Sequence, residues 1–121
     1  MGIRRFEDIQ AWQKARILVK QIYLLTCEGA FATDFGMRDQ IRREAVSVMA
    51  NIAEDFDCDS NTEFARLLGI ARRSAVEVQS LLYAALDVVY IAPEQFKINY
   101  DQAGKTKALI SAFKAAMPKK Y

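Results

Sequence analysis

The sequence contains no histidine, and it has little proline, glycine, cysteine or tryptophan. Its 121 residues include 2 prolines, 5 glycines, 2 cysteines and 1 tryptophan. The absence of histidine excludes histidine-based catalytic triads, histidine pH switches and most zinc sites. So few prolines and glycines argue against a β-sandwich, a barrel or a disordered chain, and they favour long helices. The length suits one domain, which we predict over residues 1–121.

Long apolar runs and a strong excess of one charge are also missing. No stretch approaches the ~20 apolar residues of a membrane span, and the first residues lack the apolar segment of a signal peptide. The net charge is +2, from 17 Lys and Arg against 15 Asp and Glu, which is far from the balance of a dedicated nucleic-acid-binding domain. We therefore expect a cytoplasmic protein with no membrane partner, in which Cys27 and Cys58 are reduced thiols.

The sequence does contain apolar residues at helical spacing, in four segments. In the second segment, the apolar residues from Met37 to Phe56 recur every three or four positions. Ser60 and Glu63 have the form of a capping box before the third segment. The helices are predicted at about residues 7–27, 37–55, 61–91 and 93–117. Short connections between them predict an all-α, antiparallel up-down-up-down four-helix bundle. The apolar surface of the first helix is wider than one packing seam needs, so we also expect self-association.

No residue pattern indicates a catalytic, cofactor or metal site. The serines and cysteines have no histidine base, and no glycine-rich phosphate loop occurs. Asp55, Asp57 and Asp59 have the spacing of a calcium loop, but Arg66 stands where the bidentate glutamate belongs. We interpret them as a solvated acidic turn. The sequence therefore predicts a non-enzymatic protein with no cofactor, no metal ion and no small-molecule substrate.

Polar residues at helical spacing run beside the apolar face of the second helix. If the following turn folds the second and third helices antiparallel about its centre, Arg43 lies opposite Ser74 and one turn from Glu77. One interpretation is a partly buried hydrogen-bonded network that sets the register of the two helices. The alternative is a polar patch for a ligand or partner. The residues of the predicted network are Arg43, Ser47, Asn51, Glu54, Ser74 and Glu77.

Basic residues occur in neighbouring pairs along the chain. Such scattered pairs usually belong to a solvated surface, and the sequence shows no aromatic interleaving of the kind found in single-strand-binding proteins. As a nucleic-acid signal they are weak on their own. If RNA binds, the candidate residues are expected to contact phosphates without base specificity, and they are Arg4, Arg5, Arg42, Arg43, Arg72 and Arg73.

Several short motifs resemble one known family. They are Phe6-Glu7-Asp8-Ile9 followed by Trp12, Phe35-Gly36-Met37 with Gln40-Ile41-Arg42-Arg43, and Ser47 followed by Asn51-Ile52-Ala53-Glu54. Their order and spacing resemble the four-helix-bundle proteins encoded in intervening sequences of bacterial 23S rRNA genes. Two residues depart from the pattern, because Asp55 replaces the usual glycine and Arg73 replaces a small residue before Ser74. These departures predict a second helix without a left-handed glycine cap and looser packing near Ser74.

The resemblance implies a small helical bundle that assembles as a homopentamer, in a family whose biochemical role is poorly defined. A related branch, the accessory variability proteins of diversity-generating retroelements, binds a reverse transcriptase and nucleic acid but is far more basic. The favoured interpretation is therefore a non-enzymatic homo-oligomer that associates weakly with RNA or a ribonucleoprotein. The alternative is a protein-interaction module, for example an accessory subunit of a reverse transcriptase.

Overall fold

The computed structural model describes residues 3–116, which are almost entirely helical and contain no β-strand. A 3-10 turn at Phe6–Asp8 precedes the first α-helix. Within these residues, none of the helices combines the length and the apolar character that a membrane crossing demands. The helices α1 to α5 span, in chain order, Gln10–Leu25, Gly29–Thr33, Phe35–Phe56, Asn61–Asp87 and Pro93–Ala116.

The four long helices form an antiparallel bundle. Helix α1 packs against α3 and α5, and α4 packs against the same two helices from the opposite corner. The Gln102 side-chain amide of α5 donates to the Lys14 carbonyl of α1 at 3.0 Å. Phe113 and Ile9 line a groove between the same two helices further along, so α1 and α5 run in opposite directions. The predicted all-α four-helix bundle is confirmed.

Helix α3 buries the apolar face that its sequence predicts. Ile41, Val48 and Ile52 are fully buried in the core, whereas Met37 and Phe56 at the ends of the helix are half-buried. Burial of one such side chain contributes about 1.5–3 kcal/mol relative to leaving it in water. The packing of α3 against its neighbours therefore accounts for much of the stability of this helix.

The first predicted helix is wrong at both ends. The backbone of Ile9 is extended, with φ −75° and ψ 119°, so it separates the 3-10 turn from α1, which begins at Gln10 rather than near residue 7. The same helix ends at Leu25 rather than at 27. The segment after it, predicted as a short connection, contains the short helix α2, which buries Phe31 in the core. The predicted end of the last helix at 117 lies outside the described residues.

Helix α4 ends four residues before its predicted end at 91, and Val89 shows why. This residue has φ 64°, in the left-handed region. The Tyr90 N–H donates to the Ala85 carbonyl at 2.9 Å and the Val89 N–H to the Leu86 carbonyl at 3.0 Å, which is the Schellman arrangement of a helix end. Glycine normally occupies this position, and a β-branched residue there costs about 1–2 kcal/mol. The apolar pattern continues through the cap, so it predicted a longer helix.

Helix α5 buries polar residues that its apolar pattern did not predict. Asn99, Gln102 and Thr106 all face the bundle interior. The Thr106 hydroxyl donates to the Gln102 carbonyl at 2.8 Å, and the Asn99 amide donates to the carbonyl four residues earlier at the same distance. Phe96 and Tyr100 are half-buried and pack at the side of the bundle that faces α4. Part of the buried surface of α5 is therefore polar.

Candidate functional site

Three of the six residues predicted as a polar network form one. The Ser74 hydroxyl of α4 donates to the Ser47 hydroxyl of α3 at 3.0 Å. The Asn51 side-chain amide donates to the same Ser47 hydroxyl at 3.1 Å and to the Ser47 carbonyl at 2.9 Å. Ser74 is buried, and the other two residues are half-buried. The three side chains therefore bridge α3 and α4 within the packed seam.

The other three residues, Arg43, Glu54 and Glu77, are exposed. The predicted register of α3 and α4 is also wrong, because Ser74 faces Ser47 rather than Arg43, one helical turn away. The cause lies in the turn. The N–H groups of Asp57 and Cys58 still donate to carbonyls of α3, each at 3.2 Å. The chain therefore continues in a helical path beyond the last residue of α3. As a result, it reverses direction nearer to α4 than the prediction assumed.

The acidic turn does not form a metal site. Asp55 is a buried residue within α3, where its carboxylate lies 3.8 Å from the Cys58 sulfur, whereas Asp57 and Asp59 are exposed. No group of three or more His, Cys, Asp or Glu side chains within residues 3–116 is arranged to hold a metal ion. Asp57, the residue that follows α3, has φ −99°, and none of the other residues in this turn has a positive φ, so this helix end has no left-handed cap, as the Asp55 departure predicted.

The start of α4 carries half of the predicted capping box. The Ser60 hydroxyl accepts a hydrogen bond from the Glu63 N–H at 3.1 Å, as predicted. The Glu63 carboxylate turns instead to the Arg66 guanidinium and accepts two hydrogen bonds, at 2.9 and 2.6 Å. This pairing holds the pKa of Glu63 below its ordinary value. Such an exposed pair contributes little to stability.

The six arginines proposed as phosphate contacts do not form one surface. Arg4 and Arg5 precede the 3-10 turn, where the Arg4 N–H donates to Asp8 at 3.2 Å and the Arg5 guanidinium lies 3.4 Å from the Glu7 carboxylate. Two more, at positions 72 and 73, are exposed on α4, at the corner of the bundle diagonal to α1. The remaining pair lies on α3, the helix next to α1. Only that pair joins a larger basic surface.

This surface follows the side of α1 that faces α3, and we name it the α1 strip. The Arg42 guanidinium lies over the Tyr23 ring, with its carbon 4.4 Å from the ring centroid, and its Nε donates to the Thr26 hydroxyl at 2.8 Å. About two turns nearer the start of α1, the Arg16 guanidinium lies over the Trp12 ring, 5.8 Å from its centroid. The residues of the α1 strip are Trp12, Arg16, Lys20, Tyr23, Arg42 and Arg43.

The α1 strip carries an excess of positive charge. Helix α1 contains three basic residues, Lys14, Arg16 and Lys20, and no Asp or Glu. Asp39 is the carboxylate that lines the strip. It accepts a hydrogen bond from Arg38 at 2.9 Å, which lowers the pKa of Asp39, as do the charges of the neighbouring arginines. Arg16 and Lys20 are not among the phosphate contacts predicted from the sequence, although a 16-residue helix without acids indicates a basic surface.

Asp34 joins two distant parts of the chain at one end of the bundle. Its Oδ1 accepts from the Met37 N–H at 3.2 Å and so caps α3. Its Oδ2 accepts from the Tyr90 hydroxyl at 2.8 Å. This hydrogen bond and burial raise the pKa of Tyr90 above its ordinary value. The Phe31 and Tyr90 rings pack with centroids 5.4 Å apart. The turn between α4 and α5 is therefore tied to the start of α3.

The same end of the bundle exposes large apolar side chains. Leu24 is 59% exposed, Phe35 62%, Val88 53% and Val89 83%. They lie where α1 and α4 end and where α3 and α5 begin. We name these four residues the apolar end. Apolar side chains gathered at one end of a small protein are typical of a surface that contacts another protein.

The fold and these surfaces define a small antiparallel helical-bundle protein with a basic strip along one helix. The family model of the 23S rRNA-intervening sequence proteins matches residues 7–112, and the chain belongs to this family. The family expected from the motifs is therefore confirmed. No curated protein shows a significant match to the chain.

A solved structure with the same fold comes from Bacteroides thetaiotaomicron VPI-5482 and is described as a protein with unknown function from the S23 ribosomal protein family. The TM-score is 0.80, the sequence identity is 24%, and the match covers 88% of this chain and 96% of that chain. At this identity the likeness shows the fold. Neither description names an enzymatic activity.

Proposed function

We propose that this protein is a non-enzymatic homo-oligomer that associates weakly with RNA, without sequence specificity, through the α1 strip. The observation that carries the proposal is the charge of the strip. Arg16, Lys20, Arg42 and Arg43 converge there from two helices, and none of them forms an ion pair within residues 3–116. Exposed cations that form no ion pair bind phosphates and release counterions.

Four cations predict weak binding by one protomer. Each phosphate contact contributes a slope of roughly 0.7–0.9 to the dependence of log affinity on log salt concentration. Four contacts therefore give a slope of about 3, and binding falls steeply between low and physiological salt. A symmetric oligomer repeats the strip in every subunit, so several strips on one RNA raise the overall affinity by avidity. The net charge of +2 is compatible with this arrangement because the basic residues lie together.

The test is fluorescence anisotropy with a labelled RNA of mixed sequence, measured over a salt series. The double variant Lys20→Ala/Arg43→Ala removes two exposed cations of the strip, and it should reduce the salt slope by about 1.4–1.8. The matched control is Arg72→Ala/Arg73→Ala, which removes two exposed cations from α4 and should leave the slope unchanged. Binding that is absent at low salt, or that both double variants weaken equally, contradicts the proposal.

The apolar end supports the self-association in this proposal. Size-exclusion chromatography with light scattering should give a mass that is a multiple of 13.7 kDa, and the resemblance favours five subunits. Phe35→Glu places a charge on the apolar end and should shift the mass toward the monomer, because a buried unpaired charge is costly. A mass near 13.7 kDa for the parent protein at micromolar concentration contradicts self-association.

A protein-interaction module is the second candidate, and the same apolar end favours it. In that case the apolar end contacts a different polypeptide, such as a reverse transcriptase, rather than another copy of the chain. A monomeric chain that does not bind RNA at low salt, encoded beside a reverse-transcriptase gene with template and variable repeats, supports this candidate. A gene that lies inside a 23S rRNA gene supports the first proposal.

A further inference from the structure

The α1 strip contains two aromatic rings as well as its cations, and tertiary packing aligns them. Trp12 and Tyr23 are eleven positions apart, which is close to three whole turns of an α-helix, so both rings face the same side of α1. They stand about 16 Å apart along the axis at 1.5 Å per residue. Aromatic rings interleaved with cations, which the linear sequence does not show, are therefore present on the folded surface.

Both rings are held in place by neighbours. The Phe6 ring meets Trp12 edge-on, with centroids 5.1 Å apart, and leaves the Arg16 guanidinium over the indole. Tyr23 is 41% exposed. The hydrogen bond from Arg42 to the buried Thr26 hydroxyl holds the guanidinium over the Tyr23 ring, with its carbon 4.4 Å from the ring centroid. Each ring therefore lies beside an arginine whose guanidinium is over the ring.

Flat aromatic and guanidinium surfaces beside free cations suit the bases and phosphates of an unpaired strand. Bases that are not paired stack on aromatic rings and on arginine planes, and phosphates bind the neighbouring cations. In a duplex the faces of the bases are already stacked, so only the phosphates are available. Cations alone would bind the phosphates of both an unpaired strand and a duplex, whereas the rings can stack only on the bases of the unpaired strand.

We propose that the α1 strip binds single-stranded RNA, with bases stacked at Trp12 and Tyr23 and with phosphates on Lys20 and Arg43. This inference rests on the proposed function and adds the form of nucleic acid that the site selects. None of the contacts described for the strip reads a particular base, so the preference concerns strandedness rather than sequence.

The test compares a labelled oligouridine with an RNA duplex of equal phosphate count, by anisotropy at low salt. The oligouridine should bind more tightly, and Tyr23→Ala should weaken its binding roughly tenfold while leaving duplex binding unchanged. Tyr23→Phe should restore the parent affinity because it keeps the ring. Tyr83→Ala is the matched control, since Tyr83 is 50% exposed but lies on the side of α4 that faces α5.

Trp12 provides a second readout, since it is the single tryptophan of the chain. Its fluorescence should be quenched by oligouridine and not by the duplex. Trp12→Phe keeps an aromatic ring for the fold, and circular dichroism checks that each variant remains helical. A deoxythymidine oligomer tests whether the unpaired strand must be RNA. If it binds as tightly as oligouridine, the assignment of the site to RNA is overturned.

The outcomes separate this inference from the proposed function. If oligouridine and duplex bind equally and Tyr23→Ala has no effect, the stacking site is wrong while RNA association stands. If neither RNA binds at low salt, the proposed function fails and the inference fails with it. If Tyr23→Ala lowers the oligomer mass and leaves RNA binding unchanged, the α1 strip is an interface between copies of the chain, which also overturns the inference.

Discussion

Replacing Asp34 with alanine tests whether one carboxylate stabilises two distant parts of the bundle. Asp34→Ala removes the cap of α3, because the Met37 N–H loses its acceptor at 3.2 Å. It also removes the acceptor of the Tyr90 hydroxyl at 2.8 Å. Loss of an N-terminal cap costs about 1 kcal/mol, and loss of a hydrogen bond to a charged group costs about 1.5–3 kcal/mol. Water reaches the half-exposed site and offsets part of this loss.

We therefore expect the free energy of unfolding to fall by about 2–3 kcal/mol. For a domain of this size, 1 kcal/mol corresponds to a shift in Tm of about 4 °C, so Asp34→Ala should melt roughly 8–12 °C lower. Urea denaturation followed by circular dichroism measures the change. The protein concentration must be the same for every variant, because self-association would add to the apparent stability.

A double-mutant cycle separates the two contributions. Asp34→Asn keeps a good capping side chain, so it should retain the cap while losing the charge. Tyr90→Phe removes only the hydroxyl. The cycle between Asp34→Ala and Tyr90→Phe should give a coupling of about 1 kcal/mol or more. A loss below about 0.5 kcal/mol for Asp34→Ala, or additive effects in the cycle, would refute the reasoning.

Three further predictions follow from the helix ends, the polar seam and the tyrosine pKa. Val89→Gly should raise stability by about 0.5–1 kcal/mol in urea denaturation because it relieves the left-handed strain, whereas Val88→Gly, where φ is −90°, should not. Asn51→Ala should lower the Tm, since it removes a donor within the polar seam. Glu77→Ala should leave the Tm within about 1 °C of the parent value because surface substitutions have small effects. Equal Tm values for the two variants would contradict the network. The pKa of Tyr90 is raised, so its contribution to stability is complete below the unfolded pKa of about 10 and is lost as the pH rises through the folded value. As the pH rises above about 10, the free energy of unfolding of Tyr90→Phe should therefore fall less than that of the parent. Identical dependence of the two free energies on alkaline pH would refute this.

Much of the fold could be predicted from the sequence because helices depend on residues a few positions apart. The spacing of Ile41, Val48 and Ile52 predicts the buried face of α3, and the Ser60 cap predicts the start of α4. The family could be recognised in the same way, since Ser47 and the Asn51 motif lie within one helix. Local spacing did not predict that Val89 would occupy the left-handed cap position, because the apolar pattern continues through it.

The candidate site was only partly predictable. The sequence identified Arg42 and Arg43 as candidate phosphate contacts, and it placed Ser47, Asn51 and Ser74 in one polar group. It grouped those residues with others that the structure places on different faces. A helical pattern states which side of its own helix a residue occupies, but it does not state which neighbour covers that side.

The amino-acid sequence by itself determined the four long helices, the buried face of α3, the cap at Ser60 and the family, because each depends on side chains within one or two turns. Tertiary structure decided the register and the surfaces. The Ser74–Ser47 and Tyr90–Asp34 hydrogen bonds join residues 27 and 56 positions apart, and the stacking of Arg42 on Tyr23 joins α3 to α1. Such contacts depend on how whole helices pack together, since a shift of one turn between two helices leaves the pattern within each unchanged and replaces every partner across the seam.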